Sequence, residues 1–245
     1  MENHTFGTTP LLLHAPNDSN QFWRKTVKRF FLEQPQRQYG AVPDMTVFTW
    51  NSGSQPGVFE QSMERLGMPC TCLGRGVSDW THLKKMQLLA TALRYVTTPY
   101  VLAADSYDVL VLGDLRKSVE RFLGMNRQIC FNAAEVGNKG GLASSLAIEH
   151  ECHRGKGRLR HLNSGLMIGK TEFCLMFYDI AAQLVPVTRQ VINQWSGETK
   201  MLCNDQAAMK VASHLFYADV GLDHECRIFQ IPYPWADLKV VAADD

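Results

Sequence analysis

Hydrophobic positions along this chain alternate between stretches that suit a strand and stretches that suit a helix. Met45-Thr-Val-Phe-Thr-Trp50 is a strand-forming run, and the turn formers Asn51-Ser-Gly53-Ser-Gln-Pro-Gly57 close it with a loop. A helix over Val58–Leu66 and a short strand over Cys70–Leu73 complete a β-loop-α-β unit, the start of a nucleotide-type fold. Upstream, Phe22, Trp23, Val27, Phe30 and Phe31 recur at helical spacing between Gln21 and Glu33, with Arg24, Lys25, Lys28 and Arg29 making a basic face. Downstream, Leu83, Met86, Leu89, Ala90 and Leu93 mark the buried stripe of a helix over Thr81–Tyr95. Further helices are predicted over 114–123, 172–184 and 205–213, and further strands over 10–14, 100–104 and 128–131. Residues 218–224 and 227–230 read as a closing hairpin. Residues 1–9 are polar and expected to be loose, and the Gly-, Ser-, His- and Arg-rich stretch 136–160 reads as an irregular loop over a site.

The pattern is interrupted most tellingly at Tyr100-Val-Leu-Ala-Ala-Asp105-Ser-Tyr107-Asp108-Val-Leu-Val111. An apolar run leads into Asp105, which places the acid at the C-terminal end of a buried parallel strand, where open α/β sheets bind their ligands. Asp105 and Asp108, three apart across a tight turn, can converge on one hard divalent cation and leave positions open for phosphate oxygens. The plainer alternative has Asp105 capping the turn and Asp108 solvated. Tyr107, between them, offers a flat face. Other polar positions carry the same two readings. His14 ends the first strand as a core histidine or a ligand, and Lys84 and Lys85 face a diphosphate or solvent. Asn163-Ser164-Gly165 is a ligand-approaching segment or a plain turn before the strand that ends at Gly169. Asp205 opens its helix as a functional carboxylate or a cap.

Composition narrows the partners. The chain has 245 residues, 45% of them apolar, enough for one substantial α/β core. With 25 basic and 24 acidic residues it has no general attraction for nucleic acid or an anionic membrane. Seven scattered cysteines lack the paired spacing of a structural zinc site and read as small core residues. Leu11–Leu13 is too short for a signal peptide, and no run reaches the roughly eighteen apolar residues of a membrane span, so a cytoplasmic protein is expected. The 51–57 loop fits neither a P-loop nor a dinucleotide fingerprint, which argues against ATPase and dehydrogenase chemistry.

Taken in order, Trp80, the box Ala104-Asp105-Ser-Tyr107-Asp108-Val109, Asn132-Ala-Ala-Glu135, Leu162-Asn-Ser-Gly165 with Ile168-Gly169, Asn204-Asp205-Gln206, and Leu222-Asp-His224 followed by Arg227-Ile-Phe-Gln230 resemble the glycosyltransferase domain of the procollagen lysyl hydroxylases. More broadly they resemble the GT-A nucleotide-sugar transferases, over roughly residues 45–240. The resemblance implies a single Rossmann-like GT-A domain at 45–245, with a mixed central sheet flanked by helices, and a strand-helix segment at 1–44 packed on it. It implies transfer of a hexose, glucose or galactose, from a UDP-sugar to a hydroxyl on a protein or glycan. Asp105 and Asp108 would bind manganese or another divalent cation, and Trp80 and Tyr107 would pack on the uracil. Val47, Thr49 and Asn51 would line the uridine pocket, and Lys84 or Lys85 would face the diphosphate. Asn163, Ser164, Gly165, Glu135, Asn204 and Asp205 would surround the sugar and acceptor.

Three departures stand out. Asn204 occupies a place where the family carries an aspartate, and Val136-Gly-Asn-Lys-Gly-Gly141 replaces an aromatic- and cysteine-containing stretch. The family's histidine-bearing metal strand follows the closing hairpin and is missing there, whereas Pro10-Leu-Leu-Leu-His14-Ala-Pro-Asn17 near the N-terminus resembles it. A circular permutation that makes His14 the third metal ligand is therefore expected, with His224 as the competing candidate. Two other functions stay open: a noncatalytic nucleotide-sugar or glycan-binding module, since Asn204 and the altered 136–141 stretch could remove turnover while leaving donor binding, and a metal-dependent phosphohydrolase or nucleotidyltransferase, which leaves Leu162–Gly165 and Asn204–Gln206 unexplained.

Overall fold

The computed structural model describes residues 1–16, 21–34, 36–135, 143–196, 205–234 and 236–239. In chain order the first elements are β1 (Glu2–Asn3), β2 (Leu12–His14), α1 (Gln21–Glu33), β3 (Met45–Trp50), α2 (Val58–Arg65) and β4 (Thr71–Leu73). They are followed by α3 (His82–Leu93), β5 (Tyr100–Asp105), β6 (Val109–Val111), α4 (Arg116–Leu123), β7 (Ile129–Ala134) and α5 (Ala143–Cys152). The last are β8 (His161–Lys170), α6 (Thr171–Ser196), α7 (Asp205–Leu215), β9 (Val220–Leu222), β10 (Phe229–Gln230) and β11 (Leu238–Lys239).

The architecture is mixed α/β. A six-stranded sheet has the order β4-β3-β5-β8-β7-β9, in which β8 runs against both of its neighbours and the remaining pairs are parallel. Strand alternation splits the core into two layers. Phe48, Trp50, Val101 and Ala103 turn to one face, where Met86, Leu89 and Leu93 of α3, Phe177 and Tyr178 of α6, and Met209 of α7 cover them. Met45, Val47, Leu102 and Ala104 turn to the other, against Phe59 and Met63 of α2, Phe122 of α4 and the aromatic stripe of α1. The same layer holds a three-stranded sheet, β10-β2-β6.

This second sheet positions the site. The chain leaves the large sheet at Asp105, turns through Ser106–Asp108 and enters the small sheet at Val109. β2 lies between β6 and β10, and its register sets His14 opposite Val109. Ala15 N–H then donates to the Asp108 carbonyl at 2.8 Å.

Several sequence expectations need correction. Residues 1–9 are not loose: β1 pairs with β11, and buried Asn3 donates to Gln230 Oε1 at 2.5 Å, so a polar segment is held by backbone and amide bonds. The stretch 136–160 contains α5, whose ten residues hold no glycine; residues 136–142 lie outside the described set. The triplet Asn163-Ser164-Gly165 is inside β8, not before it. α6 continues past Leu184, through Pro186 to Ser196. Residues 218–224 and 227–230 do not pair as a hairpin: β9 pairs with β7 in the large sheet and β10 with β2 in the small one. Asp223 makes that crossover, its buried carboxylate accepting N–H bonds from Arg227, Ile228 and Phe229 at 2.7–2.9 Å. Among the described residues, no helix is long and apolar enough to cross a membrane.

Candidate functional site

Where β5 ends, the two sheets meet and three side chains converge. One ligand atom each from His14, Asp105 and Asp108 lie within 4.8 Å of one another. His14 is buried, with Nε2 3.5 Å from Asp108 Oδ2 and Nδ1 3.1 Å from the Asn132 amide. The Asn132 atom at that contact is the amide nitrogen, a donor, which holds the ring proton on Nε2; with the amide turned, its oxygen would accept from Nδ1–H and leave Nε2 open for a metal. Burial pushes the Asp105 carboxyl up, Lys85 pulls it back and Asp108 raises it again, and it settles above the usual carboxylate range. Asp108 also feels burial, but His14 outweighs it and holds that carboxyl below the range.

Gly165 leaves space for this cluster. A Cβ at that position would overlap His14 Cε1 and stand 2.8 Å from Asp105 Oδ2. The backbone comes so close because the β7–β8 register shifts there: Phe131 faces Met167, but Asn132 faces Asn163. Bulges of this kind re-aim a strand beside a site. Two carboxylates and one imidazole, crowded where the two sheets meet, make a donor set suited to a divalent cation.

Beside the cluster lies a cleft of about 320 Å³, walled by Asn51, Trp80, His82, Lys85 and Tyr107. Tyr107 is 57% exposed, yet its hydroxyl is anchored on Asn51 Oδ1 at 2.8 Å. Asn51 is fixed in turn, its amide nitrogen donating to Glu60 Oε2 at 2.6 Å and to the Gln55 carbonyl at 2.9 Å. Glu60 also accepts from Ser106 Oγ at 2.6 Å and Gly57 N–H at 2.9 Å, and it pairs with Arg75. Burial raises the Glu60 carboxyl, but the hydrogen bonds from Ser106 and Asn51 outweigh that and keep it low. The start of α2 thus braces the Asp105–Asp108 turn, reinforced by Phe59 N–H donating to the Ser106 carbonyl at 2.9 Å.

The opposite wall is a chain of charges. Lys85 is buried, 2.7 Å from Asp105 Oδ1 and 3.2 Å from Asp205 Oδ2, with its ammonium 4.6 Å from the centre of the Trp50 ring. Burial lowers its affinity for the proton, but the Asp105 and Asp205 charges more than restore it. Asp205, at the first turn of α7, is itself buried, and its other oxygen lies 3.1 Å from His82 Nδ1. Burial pushes that carboxyl up; Lys85 and His82 outweigh it and hold it well below the usual range.

The remaining sequence candidates fall in different places. Of the three positions in and just after β3, Asn51 lines the cleft, whereas Val47 is in the core and Thr49 is buried with its hydroxyl on the Ala104 carbonyl at 2.8 Å. Odd-numbered β3 side chains face the α2 layer, so a strand running toward a site does not present every second residue to it. Lys84 does not line the cleft; it pairs with Asp79. Asn163 Oδ1 accepts from Gly165 N–H at 2.9 Å, which fixes the bulge, and Ser164 is buried within it. Glu135, beyond β7, has its N–H on the Tyr233 hydroxyl at 2.8 Å and its carboxylate 3.8 Å from Arg158. Asn204 lies outside the described residues. His224 is not part of the acidic cluster: Nδ1 is 2.5 Å from the Leu159 carbonyl, and its ring is 4.9 Å from His153.

His82, Glu60 and the role of Asn132 escaped the sequence reading. For His82 a signal was available, a histidine two residues after Trp80 and three before Lys85. Glu60 had only its place three residues after Gly57 at a helix start.

No protein-family model matches this chain, and no curated protein matches it. Among solved structures it is similar to the crystal structure of a glycosyltransferase involved in the glycosylation of the major capsid of PBCV-1. That likeness has 13% identity and a TM-score of 0.41, over 78% of this chain and 83% of the other.

Proposed function

We propose that the protein is a metal-dependent glycosyltransferase that moves a hexose, glucose or galactose, from a UDP-sugar to a hydroxyl on a protein or glycan. The observation that carries this reading is the convergence of His14, Asp105 and Asp108 at one end of a cleft whose walls hold Trp80, Tyr107 and Lys85. The sequence boxes that resemble the lysyl hydroxylase glycosyltransferase domain support the donor class.

In this reading His14, Asp105 and Asp108 hold the cation, manganese or another divalent ion. When bound, the cation neutralises charge on the diphosphate as it departs. The chain's own residues do the rest. Trp80 and the anchored Tyr107 ring supply flat faces for the uracil, and Asn51 completes that subsite. Lys85, clamped between Asp105 and Asp205, brings a fixed positive charge to the diphosphate end of the cleft with little rotamer freedom left to lose. Gly165 lets the sugar and the metal cluster share a narrow space, while Asn163, Ser164, Glu135 and Asn204 are assigned to the sugar and acceptor side.

The test is UDP binding by calorimetry and UDP release from UDP-glucose and UDP-galactose, each with and without manganese. The parent is expected to bind UDP only with the metal and to release UDP from one of the two sugars. Asp105→Ala and Asp108→Ala are expected to lose both properties. Equal binding and release in parent and variants would remove the reading, and release of free phosphate in place of UDP would favour a phosphohydrolase.

A further inference from the structure

We propose that His82 is the general base of the transfer, taking the proton of the acceptor hydroxyl on Nε2, and that Asp205 is its positioning residue. The inference rests on the glycosyltransferase reading above and assigns a role that the sequence boxes left to Asp205 or Glu135.

His82 is placed for it. The ring opens α3 immediately after Thr81, whose hydroxyl caps the helix by accepting from Lys84 N–H at 3.1 Å. Its side chain is 57% exposed and is the only imidazole on the cleft wall among the described residues. Nδ1 faces Asp205 Oδ1 at 3.1 Å. An ionised carboxylate only accepts hydrogen bonds, so this contact puts the ring proton on Nδ1 and leaves the lone pair on Nε2. The Asp205 charge is secured from the other side by Lys85. A buried carboxylate that orients an exposed imidazole is the arrangement by which histidine bases are held in the productive tautomer.

Asp205 is a poor base itself. One oxygen lies against the Lys85 ammonium and the other against His82 Nδ1, and the carboxyl is buried and held far below neutrality. The other acids of the cleft are also committed, Asp105 to Lys85 and Asp108 to His14. The charged groups that act on His82 are Asp205 from α7, Lys85 from its own helix and Asp105 from β5. The hydrogen bond to Asp205 raises the imidazole's proton affinity, burial lowers it, and the net is upward.

The step balances without another reactant. The acceptor oxygen forms a bond to the anomeric carbon as its proton passes to His82 Nε2. The bond from that carbon to the diphosphate oxygen breaks, and its electron pair leaves with UDP.

The experiment compares the parent, His82→Gln and Asp205→Asn with UDP-glucose and UDP-galactose in manganese, using water as the acceptor. It reads UDP affinity by calorimetry, UDP release against pH, and the His82 imidazole titration by NMR. His82→Gln should bind UDP within about twofold of the parent yet release it about 100- to 10,000-fold more slowly. It should also lose the acidic limb of the parent's pH profile, on which rate falls as the imidazole protonates. In Asp205→Asn the imidazole should titrate at lower pH and the limb should move with it, which a merely structural role for Asp205 would not produce. Unchanged release and profile in His82→Gln would overturn the assignment while leaving the glycosyltransferase reading intact. A parent that binds UDP but releases none would also overturn it, in favour of a binding module. A parent that binds no UDP would bring down both, and the binding arm shows this before any variant is made.

Discussion

Gly165 shows how much of the candidate site depends on a side chain that is not there. A methyl group at this position would overlap the His14 ring and crowd Asp105. Neither neighbour can yield easily, because His14 is buried against Asn132 and Asp105 is paired with Lys85. Gly165→Ala should therefore weaken manganese binding by about 10- to 100-fold, the range found when groups that orient metal ligands are disturbed. Calorimetric titration with manganese checks this, and an affinity equal to the parent's would mean that the cluster does not hold the ion. Trp80 supports a second residue-scale expectation. If its ring carries a uracil, Trp80→Ala should weaken UDP by about 1–3 kcal/mol, roughly 5- to 150-fold, with manganese affinity unchanged. The sequence showed the residue types at these positions more readily than their contacts. Asp105, Asp108, Trp80 and Tyr107 lie in or beside runs whose pattern singles them out. Glu60 and Asn132 act through partners 46 and 118 positions away, a pairing that no local pattern encodes.

At the scale of elements, one buried carboxylate ties α5, α7 and β8 together. Glu149 of α5 is buried and accepts from Lys210 Nζ of α7 at 2.7 Å and from His161 Nδ1 of β8 at 2.7 Å, as well as from the Leu162 N–H. Removing its charge leaves the buried Lys210 ammonium without a counter-ion. Glu149→Gln should thus cost about 3–5 kcal/mol, read as a lower urea midpoint with an unchanged slope. Burial raises the Glu149 carboxyl, but His161 and Lys210 outweigh it, and it lies below its ordinary value of 4.5. A carboxyl depressed in the folded state contributes stability that is present above 4.5 and is lost as the pH falls through the folded-state value. The parent should accordingly lose stability on acidification below that point more steeply than Glu149→Gln, by urea denaturation across a pH series. This tie also explains why the region was hard to read in advance. The glycines at 137, 140, 141, 155 and 157 gave the whole stretch the look of a loop, yet they flank the helix that carries Glu149. The α3 stripe, by contrast, was legible because Leu83, Met86, Leu89, Ala90 and Leu93 recur on one helical face, and the last four are buried.

For the whole molecule, the strand that delivers His14 is the middle strand of the small sheet and comes from near the N-terminus. It is bonded to β6, which follows the aspartate turn, and to β10, which follows the Asp223 crossover. The order of elements along the chain therefore says little about their order in space, and a histidine 91 positions before Asp105 sits beside it. Local patterning could propose a strand at 10–14, but it could not supply the strand's neighbours, which depend on pairing across most of the chain. A cation bound by His14, Asp105 and Asp108 would join β2 of the small sheet to the end of β5 in the large one, so it should stabilise the fold as a unit. Manganese at about 100 times its dissociation constant should add about 2.7 kcal/mol, a rise of roughly 5–11 °C in melting temperature for a chain of this size. Calorimetric melting with and without manganese measures that rise, and His14→Ala separates its sources. The variant removes one ligand atom but leaves the backbone pairing of β2 with β6 and β10 available. It should melt below the parent, since a buried side chain and its bond to Asn132 are lost, and it should gain little or nothing from manganese. If His14→Ala gained as much from the metal as the parent does, the third ligand would have to come from elsewhere, and the N-terminal strand would be an architectural part only.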